Sequence, residues 1–121
     1  MTTSRATTGQ RGEAIAAQYL SQHGYTILAT NWRVANAELD IVAIHGTVLA
    51  FIEVKTRRSN TTDAGFEALT PRKQARLIRS AQLYLSAHTL NEAVWRIDVI
   101  SIALVTNRAP IIEHVQDALS W

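Results

Sequence analysis

Residues 36–58, NAELDIVAIHGTVLAFIEVKTRR, confine this chain more tightly than any other stretch. Two apolar runs, 39–44 and 48–56, are separated by Gly46-Thr47, and each is long enough for a strand. A two-residue loop opening on glycine fits a type II′ hairpin. His45 then pairs with Val48, which sets Asp40 opposite Glu53 and Glu38 opposite Lys55, all four on one face. A loop one residue longer or shorter would send the two pairs to opposite faces.

Opposed carboxylates with Cβ atoms about 5 Å apart repel by roughly 3 kcal/mol at an effective dielectric near 20. One lysine cannot neutralise three acids, whereas a divalent cation added to it can. Magnesium takes oxygen ligands, commonly one or two carboxylates with water and phosphate oxygens. A lysine two residues from a ligating glutamate can orient or deprotonate the attacking water. The same pattern also admits an edge hairpin whose polar face meets solvent, with Glu38–Lys55 as a cross-strand ion pair. The unbroken apolar run 48–52 speaks against that, because it implies burial on both faces.

The rest of the chain supplies layers for this hairpin. Helical spacing of Ile15, Ala16, Tyr19 and Leu20 predicts a helix over 9–23, stopped at Gly24, after a polar tail at 1–8 expected to be disordered. YTILATNWRV reads as a first strand, and RSNTTDAGFEAL as a flexible connection. Thr70-Pro71 opens a long helix to about residue 87. VWRIDVISIALV is a further strand, and IIEHV is a candidate last one. The expected fold is α/β, an αβββαβ core in one domain over 1–121, with a central mixed sheet flanked by helices.

Charge is informative through its placement. Seven of the twelve Lys and Arg residues lie between Lys55 and Arg79, a stretch whose only acids are Asp63 and Glu67. Arg72, Arg76 and Arg79 form one helical stripe flanked by Lys73, and Arg57 and Arg58 leave the strand just beyond Lys55. Such a surface suits phosphate tracking, although a basic stripe is as readily a solvated face. Cysteine is absent, which excludes disulfides and thiolate metal sites and fits a reducing cytoplasm. No apolar h-region marks a secretory signal, no run suits a membrane span, and no G-x-x-x-x-G-K-[ST] indicates ATP binding. Asp98 and Arg96 read as a local ion pair. His23, His45, His88 and His114 have no ligand spacing and read as surface residues. Trp32, Trp95 and Trp121 read as core or interface.

Asp40, a short hairpin and Glu53-Val54-Lys55 resemble the PD-(D/E)XK nuclease superfamily, whose core is the same αβββαβ. With Gly12-Glu13, Glu38-Leu39-Asp40, Phe51-Ile52-Glu53-Val54-Lys55-Thr56-Arg57, Pro71-Arg72-Lys73 and Arg96-Ile97-Asp98-Val99 in order, the chain is similar to the YraN-like family of uncharacterised bacterial proteins, candidate endonucleases. Ala37 stands where that family usually has glycine before the acid. The resemblance implies a restriction endonuclease-like fold and a Mg2+- or Mn2+-dependent DNA endonuclease. Asp40, Glu53 and the Val54 carbonyl would hold the cation, with Glu13 reaching it from the first helix, as in archaeal Holliday-junction resolvases. Lys55 would act at the water, and Glu38 would assist or bind a second ion. The expected partner is DNA, in branched or junction form by the resolvase similarity. No membrane is expected, the location is the cytoplasm, and a homodimer is left open. The rival readings are a nucleic-acid-binding module that has lost catalysis and an adaptor in DNA uptake or repair.

Overall fold

The computed structural model describes residues 7–119. Its elements run α1 (Thr8–Gln22), β1 (Tyr25–Val34), β2 (Ala37–His45), β3 (Val48–Arg58), α2 (Asp63–Glu67), α3 (Pro71–Ala87), β4 (Trp95–Leu104) and β5 (Ile111–Val115). One sheet has the order β1-β2-β3-β4-β5; β3 and β4 are parallel and the other neighbours antiparallel. The mixed α/β fold is the one expected, and IIEHV is its fifth strand.

Each face of the sheet carries a core. On one face Ala16 and Leu20 of α1 meet Ile41, Ala43, Ala50, Ile52, Ile100 and Ile102. On the other, Leu77, Ala81, Tyr84 and Leu85 of α3 meet Val42, Leu49, Phe51 and Ile97. Burial on both sides explains why 48–52 is apolar at every position. Trp32 and Trp95 join the α3-side core through edge-on contacts with Tyr84 and Phe51. Trp121 and most of the polar tail lie outside the described residues. Thr7 and Thr8 belong to the start of α1: Thr7 accepts the Gln10 N–H and donates its own N–H to the Gln10 side chain, a reciprocal cap.

Three expectations are corrected. The connection after β3 holds a short helix, α2, whose Gly65 sits so close to Ser101 and Lys55 that a Cβ there would fall 2.1 Å from the Ser101 hydroxyl. Ser101 in turn donates to the Thr62 carbonyl at 2.6 Å. His114 is not a surface residue: its side chain is 6% exposed, and its Nε2 hydrogen-bonds to the buried Asp98 at 2.9 Å. His45 stacks on Tyr25 with centroids 4.2 Å apart and meets Arg96 at 3.2 Å. The Arg96–Asp98 pair is present at 2.9 Å.

Candidate functional site

The hairpin has the register read from its turn. His45 pairs with Val48 and the ladder runs to Ile41–Ile52, with Gly46 at φ 64°. There it stops. The Val54 N–H, which a continuing ladder would give to Leu39, instead donates to Asp40 Oδ2 at 2.8 Å. β2 remains paired with β1 down to Ala37–Val34, and β3 remains paired with β4 to Arg58–Leu104. The two middle strands therefore part at Asp40 and Glu53, and a cleft opens between them under α3.

A cavity of about 200 Å³ occupies this opening, lined by Glu38, Asp40, Glu53, Lys55, Lys73 and Arg76 among others. The carboxyl of Glu53 lies within hydrogen-bonding reach of Asp40. Burial, then the hydrogen bond and charge of Asp40, push the Glu53 carboxyl up to about 9, with Lys55 opposing. Lys55 Nζ stands 3.7 Å from Glu53 Oε2, and both side chains are mostly buried. The lysine thus pairs along its own strand rather than with Glu38 across the hairpin. Glu38 is exposed at the cleft mouth, and its N–H donates to Ser80 Oγ at 3.2 Å, which fastens β2 to α3.

Glu13 approaches from α1 without lining the cavity. Burial and the Asp40 charge raise its pKa, against a hydrogen bond from Asn31. Among the described residues no three His, Asp or Glu side chains are close enough together to hold a metal ion jointly. Asp40 and Glu53 form a pair, and Glu13 and Glu38 act on it electrostatically. The approach of Glu13 depends on Gly12, where a Cβ would fall 1.6 Å from Thr56 Oγ1. Only glycine lets the helix lie this close to β3.

The basic residues divide. Lys73 and Arg76 line the acidic cleft, whereas Arg72 and Arg79 face a neighbouring cavity shared with Arg76. Arg57 and Arg58 lie beyond the cleft; Arg57 donates to the Thr56 carbonyl at 2.8 Å, and both are exposed. Sequence reasoning missed Asn31 and Ser80. Asn31 stands between the pairs Thr30–Ile41 and Trp32–Leu39, hence across from Asp40, at φ 51°. An asparagine inside the run ILATNWRV was the available signal, since it tolerates the left-handed conformation better than most residues.

The model of the Uncharacterised protein family UPF0102 matches residues 12–102. A UPF0102 protein of Roseiflexus castenholzii is 41% identical over 121 residues, covering 98% of each chain. One from Dehalococcoides mccartyi is 41% identical over 119 residues, again covering 98% of each. One from Mycolicibacterium vanbaalenii is 39% identical over 115 residues, covering 95% of each.

Proposed function

The chain belongs to the UPF0102 family, and from its cleft we propose that it is a divalent-cation-dependent phosphodiesterase of the PD-(D/E)XK type, hydrolysing DNA in the cytoplasm. The observation that carries this reading is the part-buried Asp40–Glu53 pair facing Lys73 and Arg76 across one cleft. Two carboxylates this close resist ionising together unless a positive charge stands between them. An all-oxygen donor set favours Mg2+ or Mn2+, which accept one or two carboxylates and complete their shell with water and phosphate oxygens. Asp40 and Glu53 would hold the ion. The Val54 carbonyl is the further donor implied by the motif, while Glu13 and Glu38 add negative charge from α1 and β2. Bound there, the ion supplies polarisation of the phosphate and acidification of water.

The chain's own groups do the rest. Lys55 lies beside Glu53 and orients the attacking water, while Lys73 and Arg76 hold non-bridging phosphate oxygens and set the phosphorus in line. Asp40 is itself oriented by the Val54 N–H, so the acid pair is fixed before substrate arrives. The test is single-turnover cleavage of linear, flapped and four-way DNA with and without manganese, together with calorimetric manganese binding. Asp40→Ala is expected to lose cation binding and cleavage together. Lys55→Ala is expected to keep or improve cation affinity while cleavage falls by about 10²–10⁴-fold, the usual share of a general acid–base group. Near wild-type cleavage by folded Lys55→Ala removes its role at the water. A wild type that cleaves nothing with any divalent metal replaces this reading with a DNA-binding module that has lost catalysis.

A further inference from the structure

A second cavity, of about 540 Å³, lies beside the acidic cleft, between the β1–β2 turn and the outer face of α3. The turn at 35–37 forms one wall, and Arg72, Arg76, Arg79 and Leu83 form the other. Asn36, Arg76 and Ser80 line both cavities, so the two make one trench. The hydrogen bond from the Glu38 N–H to Ser80 Oγ ties the two walls together between them.

The charge changes along the trench. In the first part three carboxylates stand against Lys55, Lys73 and Arg76, whereas the second has no carboxylate and three guanidiniums, the shared Arg76 among them. Among the described residues none of these arginines is in an ion pair, and all three are exposed. Arginines free of acidic partners suit phosphate oxygens, which they bind in forked, charge-assisted pairs. The second part is also apolar in places: Leu83, on the α3 wall, is 42% exposed, and the exposed Ala35 stands in the turn that forms the other wall. Phosphate-binding forks beside an apolar patch match a nucleotide with its base unstacked.

Size and lining together decide which nucleic acid fits. A cavity of this volume holds one small-molecule-sized group between two walls. The bases of a duplex are paired and stacked inside it and cannot reach an apolar wall, whereas an unpaired strand can turn one base inward and lay its phosphates on the arginines. We propose that this second cavity is a subsite for the unpaired strand flanking the scissile phosphate, so that the substrate is DNA carrying a single-stranded arm. The placement of the scissile phosphate rests on the phosphodiesterase reading; the arm-binding subsite is tested without it.

The experiment is fluorescence anisotropy in EDTA, with labelled blunt duplex and duplexes bearing a short 5′ or 3′ arm. Wild type is expected to bind one armed duplex more tightly than blunt, with a log–log salt slope steeper by about 1.4, from two added contacts at about 0.7 each on single strand. Arg72→Ala/Arg79→Ala, which touches only the second cavity, is expected to erase this preference, the armed duplex losing more affinity than the blunt one. Leu83→Glu, at an exposed position that tolerates charge, is expected to do the same. Equal wild-type affinity for blunt and armed duplexes overturns the subsite. So does an equal loss on both in the double variant, which would make these arginines a general duplex contact. Arm preference in a protein that cleaves nothing retains the subsite and overturns the hydrolase; cleavage without arm preference does the reverse.

Discussion

On the phosphodiesterase reading, cation entry depends most on Glu53. Its carboxyl is raised from 4.5 to about 9 by burial and then by Asp40. The sign follows from proton counting. Between about 4.5 and about 9 the folded chain keeps a proton that the unfolded chain has released, so metal-free stability falls as pH rises through that window. In EDTA the melting temperature is expected to decline across it, and Glu53→Gln, which cannot ionise, flattens the decline. Manganese is expected to raise the melting temperature more at the alkaline end, where less proton must be displaced. A wild-type profile as flat as that of Glu53→Gln would mean that the acid pair is not coupled to folding.

At the scale of elements, the site exists because two strands part and one helix comes close. The closeness is concentrated at Gly12, which faces the buried Thr56, whose hydroxyl has no hydrogen-bond partner among the described residues. Gly12→Ala is expected to destabilise by about 1–3 kcal/mol, the usual effect of overpacking. Adding Thr56→Gly, which empties the space, is expected to recover part of the loss in a urea melt; no recovery would place the strain elsewhere. The parting of the strands was harder to foresee. Alternation and the Gly46 turn gave the register of β2 on β3 as far as Ile41–Ile52. They say nothing about where a ladder ends, because that depends on Asp40 capturing the Val54 N–H. The basic stripe of α3 was legible from helical spacing. Helix α2 was not, since Gly65 in a polar stretch signals a loop as readily as close packing. His114 was missed because its burial comes from a long-range partner, Asp98, on the adjoining strand.

For the whole molecule, the two faces of the sheet have different tasks. The α1 face carries a polar knot in which Asp98, fully buried, meets Tyr25, Arg96, His114 and the Asp117 N–H at 2.9–3.1 Å. Burial alone would raise the Asp98 pKa, but hydrogen bonds from His114, Arg96 and Asp117 hold it below the ordinary range. The knot joins β1, β4 and β5, so Asp98→Ala is expected to cost about 3–5 kcal/mol, as when one partner of a buried ion pair is removed. Cleavage per folded molecule should not change, because the acid cleft lies under α3. On that opposite face, DNA affinity should follow the placement of charge and not the net charge of +2. Arg76→Ala and Arg108→Ala lower the net charge equally, yet Arg76 lines the cleft and Arg108 does not. On duplex DNA each phosphate contact contributes about 0.9 to the negative log–log salt slope. Arg76→Ala is therefore expected to flatten the slope by about 0.9 and Arg108→Ala to leave it unchanged, read by anisotropy across a salt series. Equal flattening by both would show that DNA responds to the molecule's overall field, and the α3 face would lose its claim as the contact surface.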